Sequence, residues 1–327
     1  MNTIQIEPPK NTQPHQQNGA AINNANDLPK KKTPGRPRKK PLITPAQILG
    51  VINSPMNQEN YIEFIFQSPI LFKKISTMFR AMNIPEIYFQ FTPNKVVIDT
   101  KDHLDKSDVR IEIDCNKVTR YYCEAPLEVG VKREHFESVF HYYDKSFNSV
   151  VFFLKKSNYR STMYISSEVR DASLDYGDLN ILELITNKKD EQQRPAFPTD
   201  DAYPIKFMLP TAHLKKRVNS ITSVSSTMCI EKIGDEPLTI NYMQSRKINK
   251  KSTYPDGAKM NLISKVQPDD IFAVSVYIIS IKPFISSLIT DNIFISADIS
   301  KKLMLMYKTE NCKIQMFTDI VRIDGSA

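Results

Sequence analysis

The sequence predicts an α+β fold of two similar domains, each with two helices packed on antiparallel sheets, preceded by a disordered N-terminal arm. Short apolar segments bounded by Pro, Asn and Asp follow one another from residue 60 onward, which is typical of antiparallel strands. Amphipathic helices interrupt these segments at corresponding places in the two halves. Residues 186–203 break every periodicity, so they form the natural connection between the two domains.

These patterns predict five parts of the chain. They are a disordered arm, a first domain, a connecting loop, a second domain and a short tail, at residues 1–59, 60–185, 186–203, 204–323 and 324–327. A chain of 327 residues is long enough for two domains, and its 41% hydrophobic and 24% charged content suits a globular protein.

The charge of the chain is unevenly distributed. The net charge of +8 indicates an anionic partner, but residues 1–59 alone hold eight basic and three acidic residues. The remainder is only mildly basic, so an anion-binding surface there depends on how the charge is arranged. No apolar run approaches the roughly 18 residues of a membrane-spanning helix, and the N-terminus has no apolar signal core. We therefore expect an intracellular protein.

The arm contains a basic motif at residues 30–41, KKKTPGRPRKKP. Its segment 33–40 resembles an AT-hook, in which an extended Arg-Gly-Arg-Pro sequence lies in the minor groove of A·T-rich DNA. Pro34 stands where the first arginine of that motif belongs, so the match is partial. A nuclear-import signal and a non-specific phosphate-binding arm are the two alternatives. The DNA-binding residues of this motif would be Gly35, Arg36, Pro37 and Arg38.

The first helix is predicted over residues 68–82, where Ser68 would cap the helix and Pro69 would be its first residue. The apolar stripe at helical spacing consists of Leu71, Ile75, Met78, Phe79 and Met82. The opposite face carries Lys73, Lys74 and Arg80 with no acidic residue among them. A face of one charge sign is either an ordinary solvated surface or a surface that binds an anion.

Three further helices repeat this arrangement. One follows Gly130 and buries Phe136, Val139 and Phe140. The cations outside its apolar stripe, together with a histidine, are Lys132, Arg133, His141 and Lys145. The second half has a helix with Leu214, Val218 and Ile221 inward and Lys215, Lys216 and Arg217 elsewhere. Its last helix, around Lys282, would need Pro283 in the first turn.

The two halves match as an internal duplication of helix, four strands, helix and three strands. Leu71 and Leu214 correspond at an offset of 143 residues, and Phe136 and Ile281 correspond at an offset of 145. Each short apolar match is weak alone, whereas two matches at nearly one offset in the same element order are difficult to obtain by chance.

The sequence predicts no catalysis, metal or cofactor. Cys115, Cys123, Cys229 and Cys312 show neither CxxC spacing nor a histidine at zinc spacing, which favours free thiols. Phosphate-binding loops and nucleophile motifs are absent. The aspartates within residues 99–108 stand three apart, whereas calcium ligands alternate by two around a glycine, so we interpret this segment as a solvated loop.

The order of these motifs resembles the sliding clamps of the proliferating cell nuclear antigen (PCNA) type over about residues 60–323. ILFKKI with Arg80 resembles the first lumen helix of that family, and RYYCEAPLEVGVKREHFESVF resembles a strand running into its second helix. DLNILEL resembles the approach to the inter-domain connecting loop. With the PGRPRKK arm added, the resemblance is closest to the clamp-like proteins of African swine fever-type large DNA viruses.

The resemblance implies a homotrimeric ring that encircles double-stranded DNA, with helices lining the hole and sheets outside. Basic helices attract phosphates without reading sequence, which sliding requires. Such a ring is a non-catalytic processivity factor that tethers a viral DNA polymerase and other replication or repair proteins. The lumen candidates, each with a solvated surface as the alternative, are Lys73, Lys74, Arg80, Lys132, Arg133, His141, Lys215, Lys216 and Lys282.

Ring closure in this family pairs an edge strand of one first domain with an edge strand of the next second domain. The resemblance places these edges at residues 161–168 and 259–266, where pairing would also cover exposed backbone. A plain edge strand of a monomer is the alternative for either segment. The basic stretch from Arg246 to Lys251 is either a DNA contact or a solvated loop.

Clamps of this family bind partners in an apolar pocket under the connecting loop. The matching residues, with ordinary core as the alternative for the apolar ones, are His103, Leu104, Phe197, Ile289, Met316, Phe317 and Ile320.

The alternative function is a clamp-fold DNA-binding or late transcription factor that binds DNA without closing a ring. An enzyme is disfavoured because no catalytic site is visible. We expect the protein in a cytoplasmic viral replication site or in the nucleus, and the sequence favours neither.

Overall fold

We describe a computed structural model of the protein. The residues that it describes are 58–103, 106–169, 177–185, 203, 205–244, 247–254, 261–262, 271–297 and 302–321. The arm motif, Leu104, Phe197 and most of the connecting loop therefore lie outside the described residues.

The first domain begins with a strand, continues with a helix and five strands, and ends with a second helix and three strands. Its elements are β1 (Asn60–Gln67), α1 (Ile70–Ala81), β2 (Glu86–Phe91), β3 (Lys95–Lys101), β4 (Ser107–Asp114), β5 (Arg120–Cys123), β6 (Leu127–Lys132), α2 (Arg133–Phe140), β7 (Phe147–Lys155), β8 (Thr162–Val169) and β9 (Gly177–Ile185). A single 3-10 turn, Cys115–Lys117, lies between β4 and β5.

The second domain repeats this order. Its elements are β10 (Ile205–Pro210), α3 (Thr211–Thr222), β11 (Thr227–Ile233), β12 (Leu238–Gln244), β13 (Lys247–Tyr254), β14 (Asn261–Leu262), β15 (Ile271–Tyr277), α4 (Ile278–Ser286), β16 (Asn292–Ala297), β17 (Leu303–Lys308) and β18 (Cys312–Thr318). The predicted α+β fold with two similar domains is confirmed, although five strands rather than four separate the helices of each domain.

Each domain contains one five-stranded and one four-stranded antiparallel sheet. In the first domain their orders are β5-β1-β7-β8-β9 and β4-β3-β2-β6, and in the second domain they are β14-β10-β16-β17-β18 and β13-β12-β11-β15. Pairing of β18 with β4 and a short pairing of β6 with β9 join three of these four sheets into one continuous sheet. The two domains thus share a backbone-paired seam at β18 and β4.

The predicted helical stripes form the core between the helices and the sheets. In α1 the side chains of Leu71, Ile75, Met78 and Phe79 are all buried, as the periodicity predicts. Burying such apolar surface is the main favourable contribution to folding. The helices are thereby held on the sheets by one face, and the other face of each helix is left to solvent.

Two details of the helix ends differ from the sequence prediction. Ser68 does not cap α1, because its φ of 76° places it in the left-handed region and Pro69 occupies the cap position. Pro283 lies in the interior of α4 rather than in its first turn, because this helix begins directly at the end of β15, with Tyr277 as its cap.

The seam between the domains contains a buried ion pair. The carboxylate of Asp108 on β4, which is 5% exposed, accepts a hydrogen bond of 2.7 Å from the Lys302 ammonium. Asp319 lies 3.8 Å from the same ammonium and is 63% exposed. The pair joins the first domain to the second beside the β18–β4 ladder.

We expect Lys302→Met to lower the free energy of unfolding by about 2–3 kcal/mol, because it leaves the buried Asp108 carboxylate without its partner. Urea unfolding followed by circular dichroism measures this change. Asp319→Asn is the matched control and should change stability by less than about 0.5 kcal/mol, because an exposed partner contributes little. Equal effects of the two variants would contradict a buried role for Asp108.

Candidate nucleic-acid interface

The four helices form one row across both domains. Contacts join α2 to α1, α1 to α4 and α4 to α3, so the row runs α2-α1-α4-α3. The apolar face of each helix packs into the core, and the polar side chains of the four neighbouring helices lie outside it. All nine predicted lumen residues belong to these helices or, for Lys132 and His141, adjoin α2.

Two of the predicted lumen residues share one carboxylate. The Arg80 guanidinium on α1 donates to Glu137 on α2 at 2.8 Å, and Arg133 donates to the same carboxylate at 2.7 Å. Arg133 also lies 3.5 Å from Glu134. The acidic side chains of α2 therefore offset part of the positive charge that the first domain offers to an anion.

Two other predicted lumen residues are held at the C-terminal end of α4. The Lys74 ammonium donates to the carbonyls of Leu288 at 2.6 Å and Ile289 at 3.1 Å, and Lys215 donates to the carbonyl of Ser286 at 3.2 Å. Cations are favourable there because the last carbonyls of a helix carry partial negative charge. Lys74 thus links α1 of the first domain to α4 of the second.

The remaining predicted lumen residues are available for an external anion. Among the described residues no ion pair is formed by Lys73, Lys132, Lys216 or Lys282. Lys132, Lys216 and His141 are exposed, whereas Lys73 and Lys282 are half-buried. Neither α3 nor α4 contains an acidic residue, so the second-domain half of the row is positive without internal compensation.

Sequence reasoning missed two exposed histidines on the same row. His135 lies on α2 and His213 lies in the first turn of α3, and both side chains are exposed. Their position outside the apolar stripes was visible in the periodicity, but they were considered only for metal spacing. A neutral imidazole can donate a hydrogen bond to a phosphate oxygen, so both are suited to backbone contacts.

We expect Glu137→Gln to raise the affinity for duplex DNA about 3–10-fold at low salt, because it frees Arg80 and Arg133 from their shared carboxylate. Fluorescence anisotropy with a labelled duplex at two salt concentrations measures this effect. Glu134→Gln removes the same charge from a carboxylate that is 78% exposed and makes only the 3.5 Å contact, so its effect should be smaller. A loss of affinity in Glu137→Gln would contradict this role.

One predicted edge strand is wrong. Residues 161–168 largely coincide with β8, which pairs with β7 on one side and with β9 on the other, so its backbone is not free. The strand next to it, β9, pairs with β6 only through Leu184 and Ile185, so most of its outer side is unpaired among the described residues. The resemblance placed this edge one strand too early, because sheet order depends on non-local pairing that the sequence pattern does not show.

The edge of the second domain contains a strand that sequence analysis missed. β13 forms one end of the four-stranded sheet and covers most of the basic stretch from Arg246 to Lys251. Lysines are frequent on edge strands because they discourage unwanted pairing, and that was the available signal. Of the predicted edge 259–266, the structure describes only β14, which pairs with β10 at the end of its own sheet.

The predicted partner-pocket residues are spread between the surface and the core. His103 is exposed on the β3–β4 hairpin, and Ile320 is partly buried after β18. Ile289, Met316 and Phe317 are 8%, 0% and 1% exposed, so they pack inside the domain in this structure.

Tyr203, at the end of the connecting loop, covers the outer face of the second domain. Its side chain is 2% exposed and forms a separate apolar cluster with Met304 on β17 and Phe317 on β18. Sequence reasoning missed this anchor because the loop has no periodicity, although a large aromatic residue directly before a strand was a usable signal. Tyr203 thus fixes the end of the loop over the sheet where the resemblance places the partner pocket.

Two properties of the described residues concern metal binding and thiol reactivity. None of their groups of His, Cys, Asp and Glu could hold a metal ion. Burial raises the pKa of the Cys115 thiol to about 12, which disfavours the reactive thiolate at neutral pH. No helix among the described residues is long and apolar enough to cross a membrane.

The arrangement of the two repeats is the fold of PCNA. The chain superposes on PCNA of Entamoeba histolytica with a TM-score of 0.67 and 14% identity, covering 80% of this chain and all of that one. PCNA of Thermococcus kodakaraensis gives a TM-score of 0.65 and 15% identity with the same coverage. No protein-family model matches the sequence.

The curated relatives are viral. The chain is 23% identical over 298 residues to an uncharacterized protein of African swine fever virus from a South African tick isolate, covering 88% of this chain and 97% of the relative. The same viral protein from a Namibian warthog isolate matches to the same extent. The resemblance seen in the sequence, to PCNA-type clamps and to a protein of this virus, is confirmed.

Proposed function

We propose that three copies of this chain close into a ring around duplex DNA and act as a sliding clamp without catalysis. The observation that carries this proposal is the pair of free edges. Within the chain, β18 pairs with β4 across the domain seam. The repeat makes β9 the counterpart of β18 and β13 the counterpart of β4. Among the described residues, β13 is the end strand of its sheet, and β9 pairs on its outer side only through Leu184 and Ile185, so most of that side is open. Pairing β9 of one copy with β13 of the next repeats the internal seam.

Exposed apolar side chains at the ends of the helix row support this closure. Tyr142 follows α2 and is 78% exposed, and Val224 follows α3 and is 40% exposed. These are the two ends of the row that have no neighbouring helix among the described residues. A second copy placed at the free edges would bring α2 and α3 of adjacent copies together and cover both side chains.

The ring brings the free cations of each copy to its inner surface, where they contact phosphates without reading bases. We propose that the clamp tethers a viral DNA polymerase and other replication or repair proteins, in a cytoplasmic replication site or in the nucleus of an infected cell. The arm at residues 33–40 adds affinity for DNA. It would let the protein bind duplex DNA without a loader.

Light scattering behind size exclusion, on the full chain at several concentrations, tests ring formation. A mass of three protomers is expected, and a monomer at every concentration, with or without DNA, would contradict the ring and favour the alternative DNA-binding factor. Retention on nicked circular DNA, with loss after linearisation, tests encirclement because a ring slides off a free end. Retained affinity after deletion of residues 1–42 and neutralisation of the lumen lysines would contradict the proposal that the arm and the lumen drive loader-free binding.

A further inference from the structure

The internal seam defines a register that the free edges can adopt. Phe317 on β18 lies opposite Asp108 on β4, and the two strands pair antiparallel over their length. Because the two domains are repeats, each residue of this seam has a counterpart on β9 or on β13. Finding the counterparts of Phe317 and Asp108 therefore gives the register in which two copies would pair.

The counterpart of Phe317 is Ile181. Ile185, at the end of β9, pairs with Gly130, three residues before α2, and Val321, after β18, pairs with Ser275, three residues before α4. Ile185 and Val321 therefore correspond. Ile181 stands four residues before Ile185, and Phe317 stands four residues before Val321, so these two residues correspond as well.

The residues opposite Ile181 and Phe317 on the preceding strands support this correspondence. Ile181 lies opposite Tyr164 on β8, just as Phe317 lies opposite Met304 on β17. The exposure of the two side chains differs sharply, because Ile181 is 64% exposed and Phe317 is 1% exposed. Phe317 is covered by Tyr203 and Met304 within its own domain. Ile181 is a largely exposed isoleucine on the open side of β9, which is a surface suited to cover by another chain.

The counterpart of Asp108 is Ile248. The buried isoleucines Ile98 and Ile240 occupy the same place in β3 and β12, so Lys101 and Met243, three residues further on, correspond as well.

Their partners on the next strand complete the correspondence. Lys101 lies opposite Asp108, and Met243 lies opposite Ile248 beyond a bulge in the β12–β13 register. The register of the seam thus brings Ile181 of one copy opposite Ile248 of the next, an apolar contact in place of Phe317 and Asp108.

The two edges also carry opposite charge in their sequences. β9 contains Asp178 and Glu183 and no basic residue, whereas β13 contains Lys247, Lys250 and Lys251 and no acidic residue. Opposite charges on paired strands stabilise the pairing, and salt screens them where they are exposed. The bulge in β13 interrupts the regular ladder of backbone hydrogen bonds. Opposite charges therefore contribute a larger share of the stability of this pairing than they would between two regular strands.

We propose that adjacent copies join through the Ile181–Ile248 register, held by the acidic β9 against the basic β13, so that ionic strength controls ring opening. This inference rests on the proposed ring and adds its contact residues and its regulation. A seam that opens as salt rises, and closes again as salt falls, lets the ring pass onto circular DNA without a loader.

Thiol cross-linking tests the register in the full chain. Ile181→Cys combined with Ile248→Cys should give covalent dimers and trimers with a short bifunctional thiol reagent. Ile181→Cys combined with Thr253→Cys is the matched control, because this register places the second thiol several residues away along the strand. The unsubstituted chain, with its four native cysteines, sets the background. Equal cross-linking of the two pairs would overturn the register.

Charge reversal tests how the seam is held. Asp178→Lys with Glu183→Lys should give monomers at a concentration where the original chain is trimeric, and so should Lys250→Glu with Lys251→Glu. All four substitutions in one chain should restore the trimer, which a merely unfolded variant cannot do. For the original chain, we expect the dissociation constant of the trimer to rise at least tenfold between about 0.05 and 0.5 M salt.

The outcomes separate this inference from the proposed ring. A trimer that persists in both reversed variants and at high salt would overturn the electrostatic seam while leaving the ring intact. A monomeric original chain at every salt and protein concentration, with no retention on circular DNA, would overturn the ring itself.

Discussion

Replacing Lys73, Lys132, Lys216 and Lys282 with alanine is expected to lower the affinity for duplex DNA on the order of 100-fold at moderate salt. These lysines form no ion pair among the described residues, so each can exchange bound counterions for a phosphate. Each phosphate contact that is lost should reduce the slope of log affinity against log salt by about one. The effect should be independent of sequence because the contacts are to the backbone.

Fluorescence anisotropy over a salt series measures both quantities. The control replaces four lysines near the end of the β18–β4 ladder where Cys312 pairs with Ile113, which are Lys95, Lys117, Lys308 and Lys313. Both variants have the same net charge, so a long-range effect of charge would weaken them equally. An unchanged salt slope in the helix variant, or an equal loss in the control, would contradict the helix row as the DNA-binding surface.

Lys74 and Lys215 show what periodicity leaves out about the predicted DNA-binding residues. Periodicity placed both on the polar faces of helices, which is where they are. It could not show that their ammonium groups reach carbonyls at the end of α4, because Lys74 and Leu288 lie 214 residues apart in the chain. The pairing of Arg80 with Glu137, 57 residues away, was hidden for the same reason.

The helices and most strands could be predicted because their signal is local. The apolar stripe of α1 and the repeat of its pattern in α3 depend only on residues within a few turns. The order of strands in a sheet depends on distant pairing, so the interior position of β8 could not be read from its alternation. β13 was missed because its lysines, useful on an edge strand, lower the apolar periodicity by which strands are recognised.

Phe72→Ala is expected to give the largest loss of stability in the first domain, about 3–5 kcal/mol. The sequence stripe of α1 did not include Phe72, yet its ring is 0% exposed. It lies 5.2 Å from the ring of Phe66, 5.0 Å from that of Phe152 and 5.4 Å from that of Phe140. The ring thus joins α1 to α2 and to both β1 and β7, and its removal leaves a cavity that four rigid elements cannot fill.

Urea unfolding at equilibrium measures this loss, with Ile279→Ala as the control because that side chain is 70% exposed and its removal should change stability little. Phe72→Leu should recover about half of the loss, because a leucine fills part of the cavity. The DNA affinity of the folded fraction should stay within about twofold of that of the original chain, because Phe72 packs in the core and its ring is not available to contact DNA. A loss under about 1 kcal/mol for Phe72→Ala would contradict the packing of α1 against α2 on which the cationic row depends.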